Sequence, residues 1–209
     1  VLQDVTASLL GGKAELKGGS LAADKNENAR DVKVDVQGDF TAEGLRQEPA
    51  AGAMAQLGRF LNGRSAYRAV LQATPGSFEL TVDSDLDGMA SNLPAPLGKN
   101  ASGKLPFHYS NRVVKNTKSR NATDVAAEDE LQVRIGQMVF AQYVRDVRNA
   151  EKPRVLRGRI GVGAQVVREP PPMPGSGVRA LVKMERVDAD AWSRVLDSGW
   201  GRTLKPSAK

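Results

Sequence analysis

The chain has 209 residues, a formal net charge of +6, 40% hydrophobic residues, 5% aromatics and no cysteine. Without cysteine it can form no disulfide, thiolate nucleophile or Cys-based metal site, and a single histidine cannot complete a zinc set. No apolar run approaches the roughly 18 residues that span a bilayer. The excess charge favours anionic partners such as phospholipid headgroups, lipopolysaccharide or nucleic acid, but the basic residues are spread widely and not interleaved with aromatics as a nucleic-acid surface requires, so a merely basic protein accounts for it.

In chain order, Val5, Ala7 and Leu9 alternate into a Gly11-Gly12 turn, and Ala14 and Leu16 continue beyond it. Val32, Val34 and Val36 share one face of a strand over 31–37. A short helix is predicted from Thr41 to Gln47, and another where Met54, Leu57, Phe60 and Leu61 recur at helical spacing before Asn62-Gly63. The stretches 67–73 and 78–86 form a hairpin around Pro75-Gly76, with Phe78, Leu80, Val82 and Leu86 alternating against polar or acidic residues. Pro94 and Pro96 then exclude helix and central strand, which leaves Leu93, Ala95 and Leu97 to anchor in a groove or over an open sheet end.

Further on, Leu105, Phe107 and Tyr109 alternate, residues 112–128 read as an exposed or disordered hairpin tip, and Leu131, Val133 and Ile135 form a strand. Another begins at Val139, Ala141 and Tyr143. The last two strands, 154–160 and 178–184, are separated by the stiff run 170–174, and Trp192, Val195 and Leu196 mark a final short helix. About ten strands and two or three short helices make a mainly β chain: an antiparallel meander forming a curved sheet or open groove, with a closed β-sandwich as the alternative. Two units are expected, 1–98 with a helix near 53–62 and 99–197 packed on it, followed by a loose tail over 198–209.

No catalytic constellation emerges, so neither an enzyme nor a cofactor is expected. His108 falls opposite the apolar face of its strand. Asp83, Asp85 and Asp87 lack the glycine and glutamate that a calcium loop needs at its sixth and twelfth positions. Gly158, Gly161 and Gly163 miss the dinucleotide spacing and suit a bulge or turn. The sheet's apolar face carries more promise. Such a face must be covered by helices, a second sheet or a ligand. If the helices are too few, the remainder could hold acyl chains, lined by Val32, Val34, Val36, Phe78, Leu80, Val82, Val139, Ala141 and Tyr143. In a closed sandwich the same residues are simply core.

Several stretches carry a resemblance. They are the strand followed by the segment from Ser84 to Lys99, Gly11-Gly12-Lys13-Ala14-Glu15-Leu16, Ala42-Glu43-Gly44-Leu45-Arg46 and Gly63-Arg64-Ser65-Ala66-Tyr67-Arg68-Ala69-Val70-Leu71. Arg159-Ile160-Gly161-Val162-Gly163 joins them, with the proline run and Val187-Asp188-Ala189-Asp190-Ala191-Trp192. In this order, over roughly Leu9 to Trp192, they resemble the large YhdP-type, AsmA-like proteins of Gram-negative bacteria. The resemblance implies a periplasmic segment of a bridge-like lipid carrier that moves phospholipid between inner and outer membrane. Its partners would be phospholipid acyl chains and neighbouring units of the full-length chain. That full-length protein would be anchored in the inner membrane by a helix outside this piece. Basic residues Arg112, Lys115, Lys118 and Arg120 would then be rim candidates for anionic headgroups, or merely a soluble exposed tip. The alternative function is a non-catalytic structural or interaction module of the cell envelope. Beginning at Val1 with no signal peptide, the chain reads as an excised piece.

Overall fold

Apolar–polar alternation draws nearly every predicted strand into one sheet. The computed structural model describes residues 2–21, 31–48, 53–74, 77–114, 128–149 and 152–200. Its strands are β1 Leu2–Leu9, β2 Gly12–Leu21, β3 Asp31–Thr41, β4 Leu61–Thr74, β5 Ser77–Ser84, β6 Met89–Ser91, β7 Phe107–Val114, β8 Glu128–Ile135, β9 Val139–Asp146, β10 Arg154–Val162 and β11 Gly177–Val182. Their order is β1-β2-β3-β4-β5-β7-β8-β9-β10-β11, with β6 paired to β4. β1 and β11 end the order as unpaired edges, so the sheet is an open one and neither a barrel nor a closed sandwich. The β5–β7 pairing carries it without a break from the first predicted unit into the second.

Four short helices accompany the sheet: α1 Ala42–Gln47, α2 Ala53–Leu57, α3 Ala164–Arg168 and α4 Ala189–Val195. α1 starts where Thr41 leaves β3, and its hydroxyl accepts the Gly44 amide hydrogen at 2.9 Å, capping the first turn. Thr41 N–H also donates to Leu10 O at 3.0 Å, bringing the β1–β2 turn against the helix. Gly44 is required at that contact because a Cβ there would lie 2.0 Å from the Leu10 carbonyl. Two of the motifs behind the resemblance therefore touch. The proline segment packs as well: Leu93 and Leu97 are buried with Val195 of α4, and Trp192 Nε1 donates to Ala95 O at 3.0 Å.

Two expectations are corrected. The meander is antiparallel through β10, but β11 runs parallel to it. Residues 163–176, including α3 and the proline run, supply the long crossover that a parallel pair requires. The polar tip is also shorter than expected, because Arg112, Val113 and Val114 continue β7 in register with Glu130, Asp129 and Glu128 of β8. Cross-strand pairing there, including an Arg112–Glu130 ion pair at 3.0 Å, outweighs the low apolar content of the segment.

Candidate functional site

Directly paired residues in a sheet point to the same side, so the register shows what each face carries. One row runs Val34, Leu71, Leu80, Asn111, Leu131, Tyr143, Gly158, Val178 across eight strands. The next runs Val36, Ala69, Val82, Tyr109, Val133, Ala141, Ile160, Ala180. Val32 is in register with Ala73 and Phe78 at one end of the strands, and Val139 with Ile135 and Val162 at the other. The structure thus brings Val32, Val34, Val36, Phe78, Leu80, Val82, Val139, Ala141 and Tyr143 to a single face. Gly158 matters to it: a Cβ there would lie 2.4 Å from Tyr143 Cδ1, so only glycine leaves room for the tyrosine ring.

The two ends of this face differ. At the Phe40 end, α1 and Met89 pack on Phe40, Tyr67 and Ala69, and Leu93, Leu97 and Val195 pack near Ile135 and Val139. The Tyr67 hydroxyl is buried there with no hydrogen-bond partner among the described residues, and burial pushes its pKa up. At the opposite end Val32 is 37% and Phe78 51% exposed, while Val34, two residues along β3, is 8% exposed. Between these ends Leu71, Leu80, Leu131, Tyr143, Val133 and Ala141 are half-buried. Burial raises the pKa of both Tyr109 and Tyr143, so their hydroxyls stay neutral.

Asp129 and Arg145 belong to the same face and face each other across β8 and β9. Arg145 Nε donates to Asp129 Oδ1 at 2.9 Å and Nη2 to Oδ2 at 2.5 Å, which raises the arginine's pKa. Neither residue was singled out from the sequence, although the signal is present. Asp129 precedes Leu131, Val133 and Ile135 by the same alternation, and Arg145 follows Val139, Ala141 and Tyr143 by it. A charge at an apolar-parity position marks both. Of the basic rim candidates, Arg112 lies on the other face, exposed and paired with Glu130, while Lys115, Lys118 and Arg120 lie outside the described residues.

That other face is polar and holds a shallow depression of about 1510 Å³. Its lining includes Lys13, Glu15, Asp39, Arg64, Arg68, Asp83, Asp85, Asp87, His108 and Arg134. Several of these groups pair with one another: His108 Nδ1 is hydrogen-bonded to Asp83 at 2.7 Å, and Arg64 lies 3.7 Å from Asp39. Phe140 is an exception on this face, almost fully buried, with the guanidinium groups of Arg134 and Arg159 at 5.5 and 5.3 Å from its ring centroid. Arg159 in turn donates to Pro171 O at 2.7 Å, which ties the proline run to the sheet. No group of acidic or histidine side chains that could hold a metal occurs among the described residues. Among them, no helix is long and apolar enough to cross a membrane.

The model of a family described as YhdP protein matches residues 2–208. No curated protein and no solved structure matches the chain.

Proposed function

The chain belongs to the YhdP protein family, and from that membership together with the exposure of Val32 and Phe78 at one end of its apolar face we propose that it is a segment of a periplasmic lipid carrier. The observation that carries this reading is the contrast along β3 to β5: one face, apolar through Val32, Val34, Val36, Phe78, Leu80 and Val82, is packed at the Phe40 end and exposed at Phe78. Acyl chains laid on the open part gain about 0.8 kcal/mol per buried methylene. No bond is made or broken, so the segment acts without catalysis or cofactor. Joined to neighbouring units of a longer chain, such a face would contribute to phospholipid movement between inner and outer membrane.

Native mass spectrometry with lipid extraction tests this on protein exported to the periplasm. Phospholipid should co-purify at defined stoichiometry and be lost in Phe78→Glu, whose exposed position leaves the fold intact. A clean apo mass with no uptake of added phospholipid would sink the reading.

A second reading is a non-catalytic interaction module of the envelope. The observation favouring it is β11, an edge strand that exposes Val178 and Val182 on one side and Leu181 on the other. Under that reading the protein stays lipid-free, and substitution of Val178 and Leu181 by lysine abolishes its association with partner proteins.

A further inference from the structure

Among the described strand residues, Asp129 and Arg145 are the two charged side chains on the apolar face. Both stand at the Val32–Phe78 end of the strands, in register with Val113 and Val155. Asp129 is 4% exposed, whereas 20% of the Arg145 side chain remains accessible. Tyr109 lies close enough for both charges to act on its hydroxyl.

A buried, bidentate pair of this kind does not out-stabilise two apolar side chains of similar volume, because the desolvation of both ions offsets their attraction. Stability alone therefore does not account for a charged pair on a face that is apolar elsewhere. What the pair supplies is a match for a molecule that is apolar along most of its length and anionic at one end. Asp129 engages Arg145 Nε and Nη2 and so fixes the guanidinium plane, and among the described residues the further N–H donors have no other partner and can serve a phosphate oxygen.

We propose that Arg145, oriented by Asp129, binds the phosphate of a phospholipid headgroup while the acyl chains run along the apolar face toward the packed end. This rests on the lipid-carrying reading above. The distance suits it: six residues separate Arg145 from Val139, where the face is covered, or about 20 Å at 3.3 Å per residue. An acyl chain fills about 15 Å, half the hydrocarbon thickness of a bilayer.

The test compares equilibrium binding of fluorescent phosphatidylglycerol with that of diacylglycerol carrying the same acyl chains and label. The purified chain should favour the phospholipid by about tenfold, the worth of one charge-assisted hydrogen bond. In the double variant Asp129→Leu/Arg145→Met the ratio should fall to about one, with an unchanged or raised melting temperature. Asp129→Asn provides a second check with the opposite sign, since its amide oxygen can still accept from Arg145 Nε and hold the guanidinium while the competing negative charge is gone: the melting temperature falls and the phospholipid preference rises. Glycerol 3-phosphate in excess should leave binding unaltered, and displacement by it would overturn a lipid source for the phosphate. A double variant that keeps the preference, or an Asp129→Asn that does not raise it, overturns the headgroup site. Wild-type protein that binds both lipids equally also overturns it while leaving the lipid-carrying reading standing. Wild-type protein that binds neither overturns both.

Discussion

β3, β4 and β5 share one largely apolar face, yet its two ends meet different surroundings. Around Phe40, Tyr67 and Ala69 the face is sealed by α1 and by Met89; around Val32 and Phe78 it meets solvent. The strands themselves are alike, so the difference comes from where the connections fall. The connections 42–60 and 85–106, both at the Phe40 end, fold back as helices and as the proline segment. What the connections at the Phe40 end fold into, and not strand sequence alone, makes that part of the apolar face core.

Substitutions can break this comparison or sharpen it. Val34→Asp should have the largest effect, because an unpaired carboxylate would replace a buried valine at a cost of roughly 3–5 kcal/mol at neutral pH. Burial would raise that carboxyl's folded pKa above its unfolded value, so the loss should shrink as pH falls toward 4 and grow as pH rises. Urea midpoints at the two pH values measure the change. Met89→Ala, at the sealed end, should cost about 2–4 kcal/mol through cavity formation, read from the same denaturation curves. Thr41→Ala removes the α1 cap and should cost about 1 kcal/mol, with faster amide exchange confined to the Phe40 end.

Smaller effects sharpen the contrast. Tyr67→Phe deletes a buried hydroxyl without a partner among the described residues, while the edge-to-face contact with Phe40 survives. Thermal stability should therefore hold or rise by up to about 1 kcal/mol. Phe78→Glu at the open end should change stability by less than about 0.5 kcal/mol. A loss above about 2 kcal/mol there would mean that the open end is packed after all, and the comparison would fail.

Strand periodicity made much of the sheet legible. Val32, Val34 and Val36 share a face because successive side chains point to opposite sides, and that holds wherever the strand lies. The α1 helix was legible for an equally local reason, a threonine cap followed by Glu43, Leu45 and Arg46. Less legible were features that depend on a distant partner. β7 extends through Val114 because β8 pairs with it, and nothing local to residues 112–114 announces that. Phe140 reads as surface by parity but is buried, since Arg134 and Arg159 stack on it and the proline run, held by Arg159, ties to the same face.

The candidate face divides in the same way. Sequence alone determined that one side of nearly every strand is apolar, and it placed Asp129 and Arg145 at positions of that parity. Tertiary structure decided that the strands join in one open sheet rather than two closed ones, that those two charges face each other, and that helices and the proline segment cover one end. Parity is a property of the backbone between neighbouring residues. Coverage and cross-strand pairing depend on which segments, far apart in the chain, come to lie side by side.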